Sequence, residues 1–196
     1  PETKKIITAP NNPTGDFKYY LEGPSKSTDI VDACYNWGQY CEVRPLHDDI
    51  ILFNLSKATG HAGARLGWAL IKDPGLAKDV IRSVEMSTMG VSHMAQEVGR
   101  FVLNKQYRMQ TDDPTTTVFH YGREVLNARW AALQGMELPF KLLNKGGMFL
   151  YGGGTIPEHV VGFTGDAFGD SKNKFRLNIG CHESDFQAFM KGLQNG

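Results

Sequence analysis

Two apolar runs, Ile50-Ile51-Leu52-Phe53-Asn54-Leu55 and Leu66-Gly67-Trp68-Ala69-Leu70-Ile71, are separated only by the small-residue segment 56–65. A parallel connection needs a crossover of about a dozen residues or more, usually a helix, and this segment is too short to be one. The second run is therefore expected to lie antiparallel to the first. Upstream, Lys5-Ile6-Ile7-Thr8 and Asp29-Ile30-Val31-Asp32 are short, apolar and bounded by turn residues, the pattern of strands buried in an α/β sheet. Together the four runs predict a mixed, mostly parallel sheet.

From Pro74 the period changes. Leu76, Val80, Ile81 and Val84 recur at helical spacing behind a proline suited to a first turn, and a second helix is predicted over 92–109. After the break Thr111-Asp112-Asp113-Pro114, the residues Val118, Tyr121, Val125, Leu126 and Leu133 fall near one stripe of a longer helix, fit to bridge two domains. Strand-like runs at 140–143, 148–151 and 175–179 follow. They alternate with Gly146-Gly147 and Gly152-Gly153-Gly154, which read as turns because no helix follows to make a phosphate cradle. A helix over 183–193 closes the chain. The expected fold class is α/β: part of a large domain with the mixed sheet in residues 1–113, then the bridging helix and a small α/β domain in 114–196.

Composition narrows the function classes. With 196 residues, 41% of them hydrophobic, the chain can bury a sizeable core. Its 21 basic residues balance 21 acidic ones, so no net field favours nucleic acid or an anionic membrane, and a small-molecule partner fits better. Cys34, Cys41 and Cys181 are odd in number and lack metal-ligand spacing, which points to reduced thiols. No apolar run approaches the roughly 18 residues of a membrane span, and the start is not a signal peptide, so a cytosolic, cytoplasmic location is expected. Without an initiator Met, and with a strand-like run almost at once, the chain is expected to begin inside a larger protein. His47, His93, His120, His159 and His182 show no ligand spacing, and no metal is expected.

The segment Ser56-Lys57-Ala58-Thr59-Gly60-His61-Ala62-Gly63-Ala64-Arg65 puts a lysine at a strand end and an arginine eight residues on, behind small residues. Its parts suit a phosphorylated aldehyde: an amine can form a Schiff base, and a guanidinium can clamp a phosphate at two points. Alone, the pair reads as a solvated loop. Just beyond a predicted strand, Asp32-Ala33-Cys34-Tyr35 offers a carboxylate for a pyridine nitrogen and a phenol for a ring oxygen, although Asp commonly just closes a strand. Pro10-Asn11-Asn12-Pro13-Thr14-Gly15 is a turn that can carry an amide to the same oxygen. All three follow strands, and in open α/β sheets ligands bind beyond the carboxyl ends of strands.

In this order the motifs resemble the fold-type I aminotransferases. More narrowly, Ala9-Pro10-Asn11-Asn12-Pro13, Asp32-Ala33-Cys34-Tyr35-Asn36-Trp37 and Ser56-Lys57-Ala58-Thr59-Gly60-His61 resemble the alliinase and tryptophan aminotransferase branch, over the latter half of such an enzyme. The resemblance implies pyridoxal 5'-phosphate as cofactor, bound covalently by Lys57, which is also the catalytic base. Arg65 would bind its phosphate, Asp32 its pyridine nitrogen, and Asn12 and Tyr35 its phenolic oxygen. Arg176, in Phe175-Arg176-Leu177-Asn178, would bind the substrate α-carboxylate. Two places depart from the family pattern: Asn54 stands three before the lysine, where Ser or Thr is usual, and Asn36-Trp37-Gly38-Gln39-Tyr40 follows Tyr35. The implied activity is transamination between an L-amino acid, tryptophan-like aromatics included, and a 2-oxo acid, in a homodimer. An alliinase-like carbon–sulfur lyase and a non-catalytic fragment are the alternatives.

Overall fold

The computed structural model describes residues 5–17, 29–156 and 160–195. The first sheet has the order β1 (Ile6–Thr8), β2 (Ile30–Asp32), β3 (Ile50–Asn54), β4 (Gly67–Ile71). The first three strands are parallel, with Ile6 opposite Ile30 and Ile30 opposite Ile50, and β4 runs antiparallel to β3 with Phe53 opposite Trp68. The mixed sheet expected from the short 56–65 connection is what forms. Its core gathers Ala9, Phe17, Val31, Ala33 and Ile51.

The connection itself differs from a plain loop. Leu55–Thr59 form a single helical turn, α1, so Leu55 leaves the strand. The Asn54 side chain accepts from the Lys57 amide at 2.8 Å, and Gly60 ends the turn in the left-handed region at φ 80°. An N-cap and a left-handed glycine six residues apart are enough to wind the small-residue segment.

Two long helices follow, α2 (Pro74–Thr88), capped by Asp73, and α3 (His93–Asp112), capped by Ser92. At Gly99 of α3 a Cβ would stand 2.3 Å from the Leu66 side chain, so the glycine lets the helix rest on the segment leading into β4. The apolar positions predicted for α2 are helical but uncovered among the described residues: Val80, Ile81 and Val84 all remain exposed. Helix α4 (Val118–Gln134), capped by Thr117, buries Leu126, Arg129, Trp130 and Leu133. Tyr121 is 68% exposed, which corrects its place in the predicted stripe. The buried stripe begins further along the helix, where the second sheet comes to meet it.

That second sheet is antiparallel, in the order β5 (Lys141–Leu142), β6 (Phe149–Gly153), β8 (Lys174–Asn178), β7 (Phe163–Thr164). It packs with α4 and α5 (Glu183–Asn195) around Leu150, Phe175, Leu177, Ile179 and Phe186. Arg129 fastens α4 to this layer. Its Nη1 donates to the Ile179 and Cys181 carbonyls at 2.7 and 2.8 Å, and its Nη2 to Glu183 at 2.7 Å. Gly152 and Gly153 lie in β6 instead of the predicted turn. The reason is visible at Gly152, where a Cβ would stand 2.4 Å from the ring of fully buried Phe175.

Gly152→Ala is therefore expected to destabilise the chain by roughly 1–3 kcal/mol, the usual cost of overfilling a packed core. Urea unfolding with an unchanged m-value measures it, and a wild-type midpoint would show that Phe175 has room to move.

Candidate active site

The parallel strands end at one edge, and the residues that follow them meet there. Asn12 lies in the turn after β1, where Asn11 Nδ2 donates to Thr14 Oγ1 at 3.0 Å and the Gly15 amide to the Asn11 carbonyl at 2.8 Å. Asp32 closes β2, and its carboxylate accepts the Cys34 amide at 3.1 Å. Lys57 stands in α1 with its Nζ 5.1 Å from the centre of the Tyr35 ring. Among the described residues that amine makes no ion pair or hydrogen bond.

Arg176 arrives from the other sheet. Its Nη1 donates to Asn12 Oδ1 at 2.8 Å across 164 residues of sequence. Its guanidinium carbon lies 4.1, 4.4 and 5.2 Å from the ring centres of Phe149, Phe168 and Phe163. Phe149 in turn packs edge-on to Tyr35, ring centres 5.5 Å apart. Burial draws the Arg176 guanidinium below its ordinary pKa, and its Nε is buried without a hydrogen-bond partner among the described residues. Burial raises the Tyr35 phenol above its usual range, with Arg176 opposing, so the hydroxyl keeps its proton at neutral pH. Asn12, Asp32, Tyr35, Lys57 and Arg176 thus form one constellation.

Arg65 is not drawn into it by any contact among the described residues. It is exposed, sits in the left-handed region at φ 51°, and gives Nη1 to the Ala62 carbonyl at 3.1 Å. Asn54 is committed at both ends of its amide: Oδ1 caps α1, and Nδ2 donates to Cys34 Sγ.

Several contributors carry little sequence signal. Gln39 is 93% buried, its exposure being 7%, and its Nε2 donates to the Lys57 and Ala58 carbonyls at 2.9 and 3.0 Å, bracing the turn that carries the lysine. Gly122 of α4 makes room, because a Cβ there would stand 2.7 Å from the Gln39 Cβ. Trp37 stacks on Phe119 and meets Phe53 and Trp68 edge-on, wedging the segment after Tyr35 between sheet and helix. A buried glutamine and a helix glycine are individually unremarked in a sequence; only aromatic density at 35–40 hints at this packing.

Comparison with known proteins bears on this arrangement. The chain superposes on an aminotransferase from Staphylococcus aureus with a TM-score of 0.72 at 19% identity, covering 98% of this chain and 58% of that one. The architecture is that of the fold-type I aminotransferases. The chain belongs to the family described as Allinase (Alliinase_C), whose model matches residues 2–138. It is 33% identical over 172 residues to tryptophan aminotransferase-related protein 2 of Oryza sativa subsp. japonica, covering 81% of this chain and 32% of the relative. It is also 33% identical over 150 residues to alliin lyase of Allium cepa var. aggregatum, covering 75% and 32% respectively. The chain spans about a third of the length of these curated relatives.

The site thiols are shielded. Burial first, then hydrogen bonding to and repulsion by Asp32, push Cys34 up to about 12, and burial pushes Cys41 up to about 11. Both folded values are raised, so the associated stability is complete below the unfolded thiol range and is lost as pH climbs from about 9 towards 11 and 12. Iodoacetamide at pH 8 is expected to label Cys34 and Cys41 only after urea unfolding; rapid labelling of the folded chain, read by mass spectrometry, would contradict this environment.

Proposed function

We propose that this chain supplies the covalent anchor and the carboxylate grip of a pyridoxal-phosphate enzyme that transfers the amino group of an L-amino acid to a 2-oxo acid. The observation that carries this reading is the meeting of Arg176 with Asn12 at 2.8 Å beside Asp32, Tyr35 and an uncommitted Lys57 amine. The donor set fits the cofactor: a primary amine, a carboxylate, a protonated phenol, an amide and, at Arg65, an exposed guanidinium for phosphate. The aminotransferase-related and alliin lyase relatives support the reaction class.

Bound there, pyridoxal phosphate supplies an electron sink for negative charge at the substrate Cα. Arg176 binds the α-carboxylate and so fixes which substituent of Cα faces Lys57. The Lys57 amine, once free, takes the α-proton as general base. Asp32, held by the Cys34 amide, would face the pyridine nitrogen, and Tyr35, with Asn12 beside it, would offer its phenol proton to the ring oxygen. A tryptophan-like aromatic substrate is favoured because tryptophan aminotransferase-related proteins are among the relatives. The second reading, a carbon–sulfur lyase, draws on the alliin lyases and uses the same residues.

The reading also includes a homodimer in the cytosol, divided near residue 113 into large and small domains. Exposed Ile81, Met86 and Phe101 on α2 and α3 and three free cysteines support the first two points.

Borohydride treatment of the full chain with pyridoxal phosphate is expected to fix the cofactor on Lys57, in the peptide containing Ser56-Lys57-Ala58. Finding it on another lysine by mass spectrometry would refute the assignment. Asp32→Asn should retain the cofactor but slow α-proton exchange, and wild-type exchange would deny Asp32 its role. Arg176→Ala should remove most of kcat/KM for amino acids, roughly 2–5 kcal/mol for a lost charged partner, and barely affect amines without a carboxylate. Equal losses for both would make Arg176 structural. Release of ammonia from an S-alkylcysteine sulfoxide without an amino acceptor would select the lyase.

A further inference from the structure

Three aromatic rings, Phe149, Phe163 and Phe168, enclose Arg176, and none of them belongs to the constellation read from the sequence. Phe163 sits on the two-residue edge strand β7 in register with Arg176 on β8, and it is 56% exposed. Phe168 follows in the turn 165–168 and meets Phe163 edge-on at 6.3 Å. The segment is shaped to come this close. A Cβ on Gly162 would lie 2.9 Å from the Arg176 carbonyl, and one on Gly165 only 2.2 Å from the Ser171 carbonyl. The turn is then pinned from behind: the Asp170 amide donates to the Gly165 carbonyl at 2.9 Å, and the Asp170 carboxylate accepts from Tyr151 at 2.8 Å and Lys174 at 2.9 Å.

An acidic partner would hold a half-buried guanidinium more tightly, but it would occupy the N–H fork and repel an incoming carboxylate. Aromatic faces attract the cation through their quadrupole and consume none of its donors. We propose that Phe163 and Phe168 are positioning residues for carboxylate recognition: they hold the Arg176 guanidinium against Phe149 without engaging the N–H donors that Asn12 does not take. The inference rests on the assignment of Arg176 as the carboxylate-binding residue, and the three ring distances, 4.1, 4.4 and 5.2 Å, are its geometric basis. A desolvated surround also strengthens the later contact with the anion.

The test compares binding of 3-phenylpropanoate and its amide to the full chain by calorimetry, which needs no turnover. Wild type should prefer the acid. Phe168→Leu should weaken the acid roughly three- to tenfold, the span of a partly desolvated cation–π contact, and leave the amide unchanged, while Phe168→Tyr should restore wild-type binding. In the cofactor-loaded protein the leucine variant should raise KM for amino acids with kcat preserved. Phe163→Leu, on the exposed side, should act in the same direction and serves where Phe168→Leu fails to fold. Equal binding by the leucine and tyrosine variants, parallel loss of acid and amide, or no wild-type preference for the acid would overturn the proposal. Labelling of Lys57 tests the reaction assignment separately, so the two can fail independently.

Discussion

A guanidinium carried by β8 reaches a turn that follows β1, and this single contact makes one site out of two sheets. Arg176 is costly to place, because burial removes water from a charge and its Nε finds no protein partner among the described residues. What offsets that cost is the Asn12 oxygen and three ring faces. Lesser contacts lie along the same seam. Tyr35 packs on Phe149, Asn144 Nδ2 donates to the Thr14 carbonyl at 3.3 Å, and Arg123 on α4 donates to the Gly38 and Cys41 carbonyls.

On the first sheet the lysine is fixed from both sides. Asn54 caps the amide end of the turn that carries Lys57, and Gln39 takes up its carbonyls. A helix of five residues cannot sustain itself by propensity, because nucleation is unfavourable at that length. Its geometry is therefore set by these two side chains and by Gly60, and the Lys57 amine inherits its place over Tyr35 from them. Asn54 also donates to Cys34, next to Asp32, so the lysine and the carboxylate share a common support.

The strands and long helices were legible because their signals are local. Pro74 at a first turn, the helical spacing after it and the short 56–65 connection each state their consequence within a few residues. Asn12, Tyr35 and Lys57 lie beyond strand ends and Asp32 closes β2, so their place at one sheet edge was legible for the same reason, whereas their roles came only with the family resemblance. Gly152 was misread as a turn because its cause, the ring of Phe175, lies on another strand. Tyr121 was placed in the buried stripe because periodicity reports a face and not what covers it. The aromatic surround of Arg176 escaped altogether: Phe149, Phe163 and Phe168 come from separate segments, and no spacing joins them to an arginine on β8.

The turn that carries Phe168 shows how a short edge element is kept in place without a core of its own. Lys174, the Ser171 amide and Tyr151 together hold Asp170 down at about 2, and burial with the Asp170 contact pushes Tyr151 up to about 12. For Asp170 the folded value is lowered, so its contribution is complete above the ordinary carboxylate range and is lost only as pH falls towards about 2. For Tyr151 the folded value is raised, so its contribution is complete below the ordinary phenol range and is lost as pH rises towards about 12. Between those limits the carboxylate stays charged and the phenol stays protonated. The anchor behind Phe168 therefore keeps one form between those limits, and the aromatic surround of Arg176 rests on a support that does not titrate between them.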